Sequence, residues 1–258
     1  MDRRNIDKIA QTPEDRLLLA KVWDKIVPGM DRNIPANSCF LSPREQMLVQ
    51  YLFGQQEGLQ FFGGYNDAER KMLIYLPEYM MPESAGEMMV CLRGTFYQQD
   101  ILTHRDFLGA LMGIGIRRET VGDICVNKGS CDFFVSPEIA PYVLQNLESA
   151  GRTKLKMVQI PLWEAQIPQP ETIEIRDTVA SLRLDSILSS GFRVARSVAT
   201  EYIASGKAAI NGLPCEKPDK LLQQGDKISV RGMGKIQLTT VNGQTKKGRI
   251  SVVIDRYV

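Results

Sequence analysis

Histidine is nearly absent from this chain: His104 is the only one in 258 residues. With one imidazole and no carboxylates clustered at ligand spacing, neither a metal site nor a nucleophilic triad is supported, and no cofactor or small-molecule substrate is expected. Cysteine is sparse too. Cys39, Cys91, Cys125, Cys131 and Cys215 are odd in number and contain no C-x-x-C pair, which reads as reduced, mostly buried thiols rather than disulfide or zinc chemistry. No run approaches the ~20 apolar residues of a membrane span. Met1-Asp2-Arg3-Arg4-Asn5 leads into no signal-peptide core, so a cytoplasmic protein without a membrane partner is expected. Nor does one charge dominate, at 32 Lys+Arg against 30 Asp+Glu. The balance hides an asymmetry: from Thr172 to Val258 there are 14 against 8, net +6, and over the remainder 18 against 22, net −4. A modest basic patch at one end suits binding to structured RNA better than wholesale coating of nucleic acid.

What is present is most informative from Ser181 to Leu238. Leu182, Ile187 and Leu188 predict a helix from about Ser181 to Ser190, closed by Gly191 as a left-handed cap. Ala195, Val198, Ala199, Tyr202 and Ile203 predict a second, from about Val194 to Gly206. Asn211-Gly212 is a two-residue hairpin signal, and Gly225-Asp226 opens a strand from Lys227 to Arg231. Arg183, Arg193, Arg196 and Lys207 fall at helix ends, where guanidinium forks reach phosphate oxygens bidentately. The bland alternative is a solvated charged face.

Arg183-Leu184-Asp185, then Arg196-Ser197, Gly206-Lys207, Ile210-Asn211-Gly212, Lys217-Pro218 and Ile228-x-Val230-Arg231 resemble the S4 RNA-binding domain. The match departs at Ala195, where a serine commonly precedes the helical arginine, and at Ala208, where a branched residue is commoner. The resemblance implies RNA contacts from Arg183, Arg193, Arg196, Ser197, Lys207, Asn211, Lys217 and Arg231.

Earlier in the chain, Thr12-Pro13-Glu14-Asp15 starts a helix expected to run to Pro28, and Ser42-Pro43-Arg44-Glu45 starts another with a capping box, to about Gln56. Strands are expected over Leu59 to Tyr65 and Lys71 to Leu76, with Phe62-Gly63-Gly64-Tyr65 permitting close backbone approach. Arg70 and Lys71 either meet RNA or form an exposed hairpin end. Beyond Pro77 to Gly86 the elements read strand (Val90 to Phe96), helix (Thr103 to Met112), strands (Val121 to Lys128, Cys131 to Ser136), helix (Pro137 to Ala150) and strand (Lys154 to Leu162). That βαββαβ order is the ferredoxin-like arrangement shared with RNA-recognition-motif domains. Phe96, Phe133 and Phe134 are either its stacking residues or core. Residues 168–178, with Pro168 and Pro170, read as a linker, and Thr239 to Val258 as two strands about an Asn242-Gly243 turn, with Lys246, Lys247 and Arg249 adding charge.

Motif look-alikes fail on their chemistry. His104-Arg105-Asp106 lacks the asparagine of a kinase loop, since Leu111 stands there; Gly113-Ile-Gly115 meets Arg118 where a dinucleotide fingerprint needs glycine; and Gly232-Met-Gly234-Lys235 is a turn rather than a phosphate loop. Thr103 and Asp106 instead make a helix cap that leaves His104 and Arg105 on the first turn, able to face a ligand.

The linked stretches Phe62-Gly-Gly-Tyr65, Ala68-Glu-Arg70, Thr103 to Gly113, Gly115-Ile-Arg117-Arg118 and Gly122-Asp-Ile124, ahead of the S4-like unit, resemble the bacterial YlmH family, whose plastid relatives are photosystem II S4-domain proteins. The resemblance implies a non-catalytic protein that binds 23S rRNA and tRNA on the large ribosomal subunit in ribosome-associated quality control. The expected fold is α+β: an N-terminal region of helices and a hairpin (1–84), an RRM-like domain (85–167), the linker and an S4 domain with a C-terminal hairpin (179–258). His104, Arg105, Arg117 and Arg118 are candidates for a second RNA or ribosome contact. An RNA-modifying enzyme, with Asp106 or Asp123 as the aspartates nearest motif-like sequence, and a cell-division scaffold are the alternatives.

Overall fold

The computed structural model describes residues 2–169, 171–245 and 248–257. It is a mixed α and β protein that divides into two compact units, Met1–Pro168 and Gln169–Val258. The first two expected domains therefore form one unit. No helix among the described residues is long and apolar enough to cross a membrane.

The first unit opens with α1 (Ile6–Ile9) and α2 (Pro13–Arg32), followed by β1 (Ala36–Asn37), α3 (Pro43–Phe53), β2 (Leu59–Phe62) and β3 (Met72–Tyr75). Thr12 caps α2 by accepting from the Asp15 N–H, and Ser42 and Glu45 form the expected capping box at α3. α2 does not stop at Pro28; it continues to Arg32 and ends where Asn33 turns left-handed (φ 53°). The ring removes one bond to the Asp24 carbonyl, but Asp24 and Pro28 lie on the exposed face, where water can satisfy that oxygen. Next come β4 (Val90–Thr95), α4 (His104–Gly113), β5 (Val121–Asn127), β6 (Ser130–Val135), α5 (Ala140–Asn146), the small hairpin β7 (Ser149–Ala150) and β8 (Thr153–Lys154), and β9 (Lys156–Ile160). The helix expected from Pro137 to Ala150 is thus shorter, because the chain leaves helical geometry at Leu147 and Ser149–Ala150 pairs with Thr153–Lys154 as a small hairpin.

Two sheets stack in this unit, ordered β1-β3-β2 and β5-β6-β4-β9, all antiparallel. Strand alternation explains the layering. On β3, Leu73 faces the α2/α3 core, while Met72 and Ile74 share a second core with Phe134 of β6. On β6, Phe134 points to that inter-sheet core and Phe133 points to the α4/α5 core. The order is helices, sheet, sheet, helices. Of the two readings of the aromatic residues, core is the one observed: Phe133 and Phe134 are both fully buried, and the half-buried Phe96 packs on Phe107 with ring centroids 6.0 Å apart, so none is a free stacking platform. Gly64 (φ 99°) allows the layers to meet, since a Cβ there would lie 2.3 Å from the Phe134 ring. All five thiols are free: Cys91, Cys125 and Cys131 are buried, and Cys39 and Cys215 half-buried.

The second unit contains β10 (Thr172–Val179), α6 (Leu184–Phe192), α7 (Arg196–Ala204), β11 (Ala208–Ile210), β12 (Leu213–Pro214), β13 (Lys227–Val230), β14 (Gly234–Gln244) and β15 (Ile250–Tyr257). One sheet runs in the order β10-β15-β14-β13-β11-β12. The stretch expected as a linker is largely β10, paired with β15 from Thr172↔Tyr257 to Val179↔Ile250. Its prolines precede the strand in sequence, and Ile175 and Val179 on the strand are buried in the core of the second unit. The Asn242-Gly243 turn is also corrected: both residues lie within β14, and the chain reverses after Gln244. Lys246 and Lys247 fall outside the described residues. The α6 and α7 cores pack on Ile228, Ile236, Leu238, Val252 and Ile254, whereas Lys227, Lys235, Gln237 and Asp255 alternate onto the other, polar face.

Candidate nucleic-acid interface

The junction of α6 and α7 is built around a buried carboxylate. Asp185, 4% exposed, receives Arg183 Nε and Nη2 at 3.2 and 3.1 Å and Arg196 Nη2 at 3.0 Å on each oxygen. Burial pushes the Asp185 carboxyl up, but the hydrogen bonds and charges of the two arginines outweigh it and hold the carboxyl below its ordinary range. It is therefore an anion at neutral pH, and it fixes two guanidinium groups whose outer faces stay at the surface, with Arg196 54% exposed.

Gly191 is not the cap of α6. It lies inside the helix, where a Cβ would meet Ile236 Cδ1 at 2.7 Å, and Arg193 takes the left-handed position instead (φ 54°, ψ 45°). That conformation is costly for a residue with a side chain. It turns the exposed Arg193 out between the helices. Ser189 stiffens the bend by donating to the Val194 carbonyl at 2.7 Å. Arg193, Arg196 and Arg249 border a cleft of about 380 Å³ together with Ser186, Ser189 and Ser190. Arg249 is held there through its bonds to the Thr178 carbonyl. Sequence reasoning credited Arg249 only with charge, because the pairing of β10 with β15 that brings it to the cleft is not local.

The other candidates separate by role. Lys207 is exposed, its ammonium 5.0 Å from the Tyr202 ring centre, and its carbonyl accepts from the Arg231 N–H. The Pro218 and Lys220 carbonyls accept from the Asp185 and Leu184 N–H groups, which brings the loop bearing the exposed Lys217 to the start of α6. Ser197 is exposed in the first turn of α7, whose cap Ala195 supplies no side-chain bond. Asn211 has a structural part in the fold. In the left-handed turn between β11 and β12 its amide donates to Asp226 at 2.8 Å and its Oδ1 accepts from Lys227 N–H at 2.9 Å, so its side chain is occupied in closing the fold.

In the first unit, Asp123 accepts from Tyr65 Oη at 2.8 Å, Glu69 N–H at 2.6 Å and Arg70 N–H at 3.0 Å. Arg70 donates to the carbonyls of Val121 and Phe40, so it is a brace between the sheets and not an exposed hairpin cation. Arg118 donates to the Val121 and Gly122 carbonyls, and burial, followed by the nearby charge of Arg70, pushes its pKa down to about 10. It remains a cation at neutral pH. Asp106 accepts from the Thr103 N–H and hydroxyl at 2.8 and 2.7 Å, the expected cap of α4. His104 stands on the first turn; partial desolvation, then Arg118, push its pKa down, so it is a neutral imidazole at neutral pH. Arg105 and Arg117 are exposed, with Arg117 3.4 Å from Glu119.

Residues 96–164, which contain His104, Arg105, Arg117 and Arg118, match the family model described as "Putative RNA-binding domain in YlmH". Over 237 residues, 91% of this chain and 91% of the relative, the sequence is 37% identical to the "Ribosome-associated protein quality control protein P2" of Bacillus subtilis (strain 168). The chain belongs to the YlmH family. A solved structure, "Cell division protein ylmH from Streptococcus pneumoniae", shares the fold at a TM-score of 0.51 and 20% identity, over 62% of this chain and 98% of the other. The motifs by which the sequence resembles the YlmH family divide by role in the structure: the Phe62 to Arg70 and Gly122-Asp123 stretches hold the two sheets together, and the Thr103 to Arg105 and Arg117 stretches lie at the surface.

Proposed function

We propose that this YlmH-family protein is a non-catalytic, cytoplasmic RNA-binding factor of ribosome-associated quality control that grips 23S rRNA and tRNA on the large ribosomal subunit. Its second unit acts as an S4 domain. The observation that carries the reading is the Arg183-Asp185-Arg196 cluster, which holds two guanidinium groups in register beside the exposed Arg193, with Lys207, Lys217 and Arg231 at the surface. Fixed forks of this kind position a phosphate backbone, and the shape of a folded RNA supplies the selectivity. The name of the Bacillus subtilis relative supports the pathway. The engagement of Asp106 and Asp123 in structural hydrogen bonds supports the non-catalytic part. His104, Arg105, Arg117 and Arg118 form the second contact, through the first unit.

The test is sucrose-gradient sedimentation of the tagged full chain beside Arg193→Glu/Lys217→Glu, two side chains outside the ion pairs, at low and raised salt. Wild type is expected to travel with the large subunit and the double variant to stay near the top, with a flatter salt dependence. Wild type remaining at the top overturns the ribosomal reading, and a changed nucleoside composition of RNA incubated with the purified protein overturns the non-catalytic one.

A further inference from the structure

A groove of about 900 Å³ lies along the β2 edge of the first unit, between the 82–87 segment and the 162–167 segment. Phe62, Ala85, Leu162 and Ile167 give it an apolar floor, and Trp163 stands beside it 85% exposed. The backbone that follows it is pinned: Arg93 donates to the Glu164 carbonyl at 2.8 Å, the Gln166 N–H donates to the buried Asp132 at 2.7 Å, and Asn127 donates to the Gln166 carbonyl at 2.7 Å. The backbone of this wall is thus held before anything binds, which lowers the ordering cost of association.

The rim has one sign. Glu83 and Glu87 line the groove, and from Pro77 to Val90 the chain holds Glu78, Glu83 and Glu87 with no Lys or Arg. Acidic rim, apolar floor and a presented indole are complementary to one chemistry, a cationic amphipathic peptide segment whose apolar residues enter the groove while its Lys or Arg meet Glu83, Glu87 and the Trp163 face. The acids oppose a phosphate backbone, which separates this surface from the basic face of the second unit. We propose that the groove docks a basic, apolar segment of a protein partner.

The test uses the full chain and three synthetic helical probes: Leu/Lys, with Leu at i, i+3, i+4 and i+7, and its Leu/Glu and Ser/Lys counterparts. Trp163 emission is expected to shift to the blue on titration with the Leu/Lys probe, with Trp163→Phe identifying the signal against Trp23. The other two probes should bind at least about tenfold more weakly, and Glu83→Lys/Glu87→Lys and Trp163→Ala should each weaken Leu/Lys binding about tenfold or more with an unchanged melting temperature. Should the charge reversal unfold the protein, Glu83→Gln/Glu87→Gln is expected to give a smaller weakening in a folded chain. Leu/Lys binding that ignores these variants, or is matched by either counterpart, overturns the proposal. So does quenching of Trp163 by a single-stranded oligonucleotide that displaces the probe, or a concentration-dependent dimer that Trp163→Ala abolishes, which would assign the groove to RNA or to a second copy.

Discussion

The two larger sheets differ in what covers them. In the first unit the strands β5, β6 and β4 are covered on both faces, with helices behind Phe133 and the β1-β3-β2 sheet against Phe134, while the edge strand β9 is largely exposed. In the second unit the sheet has helices on one face only, and its other face is polar. Strands covered on both faces offer bases no stacking surface, and the exposed His104, Arg105 and Arg117 stand instead at a helix start and in a loop. A singly covered sheet leaves its helix pair outermost, and there the guanidinium groups collect. Family resemblance to a sheet-platform domain and actual use of the sheet are different matters.

The largest effect should come from breaking that double cover. Phe134→Ala is expected to cost about 3–5 kcal/mol in chemical denaturation of the first unit, whereas Ile173→Thr on β10, where Ile173 is half exposed, should stay within about 0.5 kcal/mol. Equal losses would show that the coverage difference carries no energetic weight. Next is Asp185→Asn, expected to destabilise the second unit by about 1–3 kcal/mol and to weaken RNA binding measured by filter retention even at pH 7. The wild-type contribution of Asp185 has a defined pH window. Because the folded carboxyl titrates below its unfolded value, that contribution is present above the ordinary Asp range and is lost as pH falls through it toward the folded value; the melting temperature of Asp185→Asn should therefore be flatter than that of wild type over the acid limb. The smallest change expected is Arg193→Gly, which relieves the left-handed backbone and raises stability by about 0.5–1 kcal/mol while RNA affinity falls. A parallel gain of affinity would remove Arg193 from the interface.

Local chemistry made most of the elements legible. The Ser42 to Glu45 capping box, the Thr103 and Asp106 cap and the Asn211-Gly212 hairpin all formed as their residue types require. What stayed hidden depends on partners distant in sequence. Gly191 resembles a cap by position, yet Ile236 from another strand demands a residue without Cβ there, and the left-handed role passes to Arg193. β10 resembled a linker because its partner lies at the far end of the unit. At the interface, Arg183 and Arg196 could be named from sequence, but not the carboxylate that holds them together, since Asp185 and Arg196 meet only once α7 folds back. Asn211 carried the right motif and a structural duty.

The pairing of Thr172 with Tyr257 has a consequence in time. The first strand of the second unit is made early and can find no permanent neighbour until the strand ending at Tyr257 has been synthesised, so the unit cannot close its sheet while that strand is still inside the exit tunnel. Its helix pair, complete long before, waits on an open edge. The cationic surface at the α6/α7 junction therefore acquires its full scaffold, including Arg249, only when translation through β15 is finished.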